Sequence, residues 1–376
     1  MIEVPVLILA LTGALFVVFL LLTRRSMPYV FCNATLSAWE GRLIPESRLM
    51  ELAEAQSPDA VLSALEETDY GKQVAELRKS GLNDPIHLEM ALRENANEKY
   101  RELLRMLPEG RMETVRMVLS RIDVWNLKAI ISMILSGFPV ERRKEELIPS
   151  PTTPADRLEI LASAKNMEEL MEYLKGSRYH KAISGAMEEY EKRGLRALLL
   201  ALDRQYWSSL WHDVVGRRDQ RKVLKMMIGQ EIDCINVKTI LRLKQERAAP
   251  EDIERHLIRP SFELNEEMLR AMVMSDDLSS AINMIHITEV GRVLLESSGE
   301  IAAGGATAAE AALDRWIVHK FRWLGMTRFF TVAPAISYIV QKENEIKMLR
   351  AIYRLKFDGF DPASVKNFLE GVKVEV

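Results

Sequence analysis

Apolar side chains recur along this chain at three- and four-residue spacing, the period of one helix face. Between Arg48 and Leu65 they fall at Leu49, Leu52, Val61, Leu62 and Leu65, and Ser57-Pro58 breaks the run. Ser57-Pro-Asp-Ala reads as an N-cap with proline at the first helical position. A matching stretch from Pro154 to Leu174 carries Leu158, Leu161, Leu170 and Leu174, with Asn166 in the capping place. Asp276 and Asp277 hold that place ahead of Leu278, Ile282 and Ile285. Leu195, Leu198, Leu202, Tyr206 and Leu210 predict a longer helix, as do Ala312, Trp316, Phe321 and Leu324 at looser spacing. Sustained period-two alternation is absent, and glycine and proline fall between the periodic runs. The pattern predicts an all-α chain.

One stretch is apolar all round. Val4 to Leu22 is a 19-residue run without a charge, and fourteen of its residues are Leu, Ile, Val or Phe. A helix of ~20 residues crosses the ~30 Å hydrocarbon core. At roughly −0.3 to −0.6 kcal/mol each, these side chains favour insertion by about 4–8 kcal/mol. Glu3 precedes the run and Arg24-Arg25 follow it, the reverse of a cleaved signal peptide. The expectation is a single transmembrane helix within residues 1–26, with the bulk of the chain on the cytoplasmic side. A start at Met27 would remove the segment.

The pattern also repeats. Ile122-Asp-Val-Trp-Asn-Leu-Lys-Ala-Ile130 returns as Ile232-Asp-Cys-Ile-Asn-Val-Lys-Thr-Ile240, and more loosely as Lys342-Glu-Asn-Glu-Ile-Lys-Met-Leu-Arg350. Tyr70 in Thr-Asp-Tyr-Gly-Lys72, Tyr179 in Ser-Arg-Tyr-His-Lys181 and Val290 in Thr-Glu-Val-Gly-Arg292 occupy one place in the period. Leu-Ile-Pro at 43–45 and 147–149 becomes Leu257-Ile-Arg-Pro260, and Leu202-Asp-Arg204 returns as Leu313-Asp-Arg315. A period of about 110 residues sets three units. Their expected bounds are 27–121, 122–231 and 232–376, the last with a closing C-terminal helix.

Composition adds limits rather than a function. A net charge of −3 with 28% charged residues is ordinary for a globular chain and lacks the basic excess of a nucleic-acid binder. Cys32 and Cys234 are too few for a disulfide framework or a zinc cluster. The six histidines are scattered without a zinc-ligand pair, and no Gly-x-Ser-x-Gly is present. The glycine-rich stretch from Ser297 to Gly305 has no following Gly-Lys-Ser/Thr and reads as a helix–helix connection. No catalytic, cofactor or metal site is signalled. The repeated polar positions Asn126 and Lys128, Asn236 and Lys238, Glu345 and Lys347 remain. Two positions apart on a helix is about 200° around the axis, so each pair cannot face one ligand. The expected role is structural: Asn or Glu satisfies a polar partner at the joint between units.

Lys342-Glu-Asn-Glu-Ile-Lys-Met-Leu-Arg350, Thr68-Asp-Tyr-Gly71, Tyr29-Val-Phe-Cys-Asn-Ala34 and the triple repeat together carry a resemblance. The chain resembles the C subunit of the archaeal A-type ATP synthase, related to the d subunit of eukaryotic vacuolar ATPases, from about Tyr29 onward. The resemblance implies three similar helical bundles around a pseudo-threefold axis, a funnel between the proteolipid ring of the membrane sector and the central stalk. It implies a non-catalytic rotor adaptor without cofactor, nucleic-acid or small-molecule partner, working in ion-driven ATP synthesis or hydrolysis. The membrane contact through Val4 to Leu22 departs from that family, whose members are expected to be soluble. A membrane-tethered helical-repeat scaffold is the alternative reading.

Overall fold

The computed structural model describes residues 3–108, 110–216 and 221–371, and among them only helices and their connections occur. The first is α1 (Glu3–Glu40). Short helices α2 (Glu46–Glu54), α3 (Pro58–Glu66) and α4 (Gly71–Ser80) lead into α5 (Pro85–Met106), α6 (Met112–Leu119) and α7 (Arg121–Leu135). A second short set follows: α8 (Val140–Glu145), α9 (Ala155–Ala162) and α10 (Met167–Tyr173). It leads into α11 (Arg178–Arg193), α12 (Leu195–Gly216) and α13 (Arg221–Gln245). A third set, α14 (Pro250–His256), α15 (Glu266–Met274), α16 (Leu278–Asn283) and α17 (Glu289–Glu296), precedes α18 (Ser298–Thr327), α19 (Ala333–Phe357) and α20 (Pro362–Gly371).

Local chemistry starts these helices at the same phase of the period. Ser57, Asn166 and Asp277 accept bonds from the backbone N–H groups of Ala60, Glu169 and Ser280, each satisfying one orphan donor of a first turn. Thr288 caps the Gly291 N–H and Ser177 the His180 N–H in the same way. Gly71 and Gly291 stand where the chain turns back sharply. A Cβ at either would fall onto the carbonyl oxygen of Glu66 or Ile285. The stretch expected as a connection at 297–305 is instead the first part of α18, broken at Gly305 (φ 61°), where Gln245 Oε1 accepts from the Ala306 N–H.

Buried apolar residues from all parts of the chain form one continuous core. Around it the long helices pack in a closed circuit: α7 on α12, α12 on α13, α13 on α18, α18 on α19 and α19 on α5, with α6 linking α5 to α7. The chain's two ends meet in that circuit. Helix α19 packs on α1, α2, α3 and α5, so the last long helix completes the wall begun by the first hundred residues.

The expected N-terminal transmembrane helix, and with it the anchoring of the chain at a membrane, requires correction. Among the described residues no helix is long and apolar enough to cross a membrane. The apolar run opens α1, a single 38-residue helix whose later half buries Cys32, Leu36 and Trp39 in the core. The side chains of residues 4–8, 10 and 22 lie outside the described residues. Counting uncharged letters treated the run as a free-standing element.

Candidate functional site

The repeated motif lies on α7, α13 and α19, and its two polar positions face different ways. Asn126 clamps the backbone of Ile148: its Nδ2 donates to the carbonyl and its Oδ1 accepts the N–H, both at 2.8 Å. Asn236 does the same to Ile258, 22 residues on, at 3.0 and 2.7 Å. On α19 the partner is 301 residues back. Glu345 Oε1 accepts from the Ile44 N–H at 2.5 Å, while Oε2 accepts from Tyr70 Oη at 2.6 Å and Lys342 Nζ at 3.0 Å. All three joints thus hold the chain that carries the Leu-Ile-Pro sequence or its variant.

Those clamps differ in charge. Asp123 accepts from Ser150 and Thr152, and Asp233 from the Phe262 and Glu263 N–H groups. The place of these aspartates is taken on α19 by Lys342, buried against the Tyr70 ring at 3.8 Å from its centroid. Burial lowers the Lys342 pKa, and Glu345 opposes that shift. Burial pushes the Asp233 carboxyl up to about 6 against the bonds from the loop N–H groups.

The lysines point to the neighbouring helix instead. Lys128 Nζ meets Asp203 on α12 at 2.5 Å, Lys238 pairs with Asp314 on α18, and Lys347 pairs with the same Asp314. Burial raises the Asp203 pKa, and Lys128 draws it back only in part. At Asp314 burial acts in the same direction, but two lysines outweigh it and hold the carboxyl below its usual value. The aspartates belong to the Leu-Asp-Arg sequences at 202–204 and 313–315.

These pairs border a central cavity of about 830 Å³, walled by α5, α7, α12, α13, α18 and α19. Trp125, Trp207, Ile235 and Ile317 give it an apolar surface between the charges. Arg121 from α7 crosses to Glu231 of α13 at 2.5 Å. Arg93 of α5 pairs with Glu343 of α19 and lies 4.9 Å from the Trp125 ring centroid. Arg350 meets Glu89 at 2.9 Å. Burial pushes the Cys234 thiol far above its usual range, so the one sulfur in the wall is no nucleophile. Among the described residues no group of His, Cys, Asp and Glu could hold a metal ion. Paired charges on apolar walls can seat a protein segment of mixed surface.

Sequence reasoning had located the motif positions but not their neighbours Arg93, Arg121, Glu231 and Glu343. The period carried that signal. Position 93 lies 110 residues before Asp203, and 343 lies 109 after Cys234, so the departures from the repeated residue types stand at fixed phase.

Comparison with known proteins matches residues 32–368 to the family model for the ATP synthase (C/AC39) subunit. The chain is 28% identical over 344 residues to the A-type ATP synthase C subunit of Methanocaldococcus jannaschii, covering 91% of this chain and 86% of that one. It is 29% identical to that of Pyrococcus abyssi, with 91% and 90% covered. For Thermococcus gammatolerans the identity is 30%, with 92% and 91% covered.

Proposed function

This chain belongs to the ATP synthase (C/AC39) subunit family, and from that premise we propose that it is a non-catalytic rotor adaptor joining the central stalk to the proteolipid ring. The observation that carries the reading is the cavity closed by α19 against the chain's own beginning. A helix is ~10 Å across, so a cylinder of that width and 830 Å³ is roughly 10 Å deep, about two turns. That suits the tip of one helix of a coiled-coil stalk. In this reading residues 27–121, 122–231 and 232–376 form three units about one axis, the first completed by α19. Torque passes through packed walls, because dense interiors deform little. Phe31 and Phe330 are exposed beside the bond from Asn33 to the Phe329 carbonyl, Trp323 and Met326 are exposed near the end of α18, and we assign these apolar side chains to the ring.

The test is mass spectrometry of the complex that copurifies with the gently solubilised, tagged chain. Stalk, ring and nucleotide-hydrolysing subunits at fixed ratios are expected. Their replacement by unrelated partners would overturn the adaptor in favour of a scaffold.

A further inference from the structure

The cavity is built from three helix junctions of one design, and one of them is reversed. At α7–α12 and α13–α18 the motif helix supplies lysine and its neighbour aspartate, as Lys128–Asp203 and Lys238–Asp314. At α5–α19 the aspartate place, 110 residues before Asp203, holds Arg93. Across from it Glu343 stands in the place of the uncharged Val124 and Cys234. The polarity of the pair is inverted. Lys347, which would otherwise meet Arg93, turns away to share Asp314 with Lys238.

The chain keeps this arrangement against a structural disadvantage. Arg93 is 8% exposed, and its Nε–H is buried without an acceptor. A buried donor left unmade destabilises a fold, and such local violations gather where a function holds them. Glu343 is tied further by Tyr100 Oη at 2.9 Å, so the inverted pair is fixed in place. Trp125 lies under both Arg93 and Arg121, whereas its counterparts Ile235 and Asn344 have no ring to offer.

We propose that the Arg93–Glu343 pair is an orientation key, which seats the foot of the central stalk in one of the three rotational registers that like junctions would otherwise offer. The proposal rests on the docking reading above and adds a register to it. A stalk of paired helices has no threefold symmetry of its own, so its faces meet different charge patterns at each junction. Misplaced charge in a partly enclosed wall is penalised more than in water, and repulsion in wrong registers gives the specificity.

The test places a photoreactive benzoylphenylalanine at Ile235 or at Asn344, one at a time, in the assembled complex and identifies the stalk peptides each one labels. One register predicts that the two positions label different stalk faces, each by at least about tenfold over the other, the ratio ~1.4 kcal/mol provides. Arg93→Asp with Glu343→Val gives the third junction the lysine–aspartate pattern of the other two, and the preference between the label sets should then fall from tenfold toward about threefold. Val124→Glu with Asp203→Arg builds a second key at α7–α12, and a second, rotated label set should appear. Thermal melts of both variants identify any that fail to fold. Unchanged labels in a folded variant would overturn the key alone. Absence of any stalk label in the unaltered complex would overturn the docking reading and the key with it.

Discussion

Truncating Asn236 to alanine tests whether the repeated motif holds the joints by its backbone clamp. Asn236 is wholly buried, as is the Ile258 segment it holds. Its loss removes bonds of 3.0 and 2.7 Å and leaves the Ile258 N–H and carbonyl without partners. A buried polar group left unpaired costs about 1–3 kcal/mol, so the two together predict a loss of roughly 2–6 kcal/mol. Asn126→Ala breaks a clamp of equal geometry, but Ile148 is partly exposed and water can replace the lost partner. That variant should cost about half as much. Asn236→Asp keeps an acceptor for the N–H but sets a carboxylate against the Ile258 carbonyl. It should cost more than alanine at neutral pH and recover on acidification. Guanidinium unfolding followed by far-UV circular dichroism measures all three. A cost under about 1 kcal/mol for Asn236→Ala, or one no larger than for Asn126→Ala, would refute the reasoning.

Three further outcomes follow from the geometry. Gly291→Ala drives a Cβ onto the Ile285 carbonyl and should cost about 1–3 kcal/mol, whereas Gly185→Ala, exposed in mid-helix with open space around it, should gain about 0.5–1 kcal/mol; urea midpoints of opposite sign check the pair. Arg247 has φ 58° where the equivalent helix ends hold Gly137 and Gly359, so Arg247→Gly should stabilise by about 0.5–1 kcal/mol, and a lowered melting temperature would contradict it. Asp233, raised to about 6 from 3.8, contributes stability that is fully present below pH 4 and lost as the pH rises through 6, up to about 3 kcal/mol. Carboxyl carbon resonances should show an aspartate titrating near 6, and titration of every aspartate below 4 would exclude it.

The helices and their starts were legible because the signals are local. Ser57, Asn166 and Asp277 cap the turns they precede, and the apolar period names the faces that reach the core. The pairing of Lys238 with Asp314 was not legible, since it depends on how far α13 and α18 slide along each other. Nor was the union of Glu345 with Ile44: a repeat gives the like positions of its units, not which unit the last helix completes. Arg93 was readable only as an exception to a period. Val4 to Leu22 misled because hydrophobicity in a window says nothing of where the helix ends, and α1 ends inside the core.

The joint between Ile44 and Glu345 also orders events during synthesis. A chain emerging from the ribosome presents Ile44 some 300 residues before its acceptor exists. The middle clamps, each spanning 22 residues, can form as soon as their own loops appear. Through most of translation the first unit is therefore a vacancy awaiting the last long helix. A premature stop ahead of α19 would leave the beginning of the protein unfinished while sparing the middle.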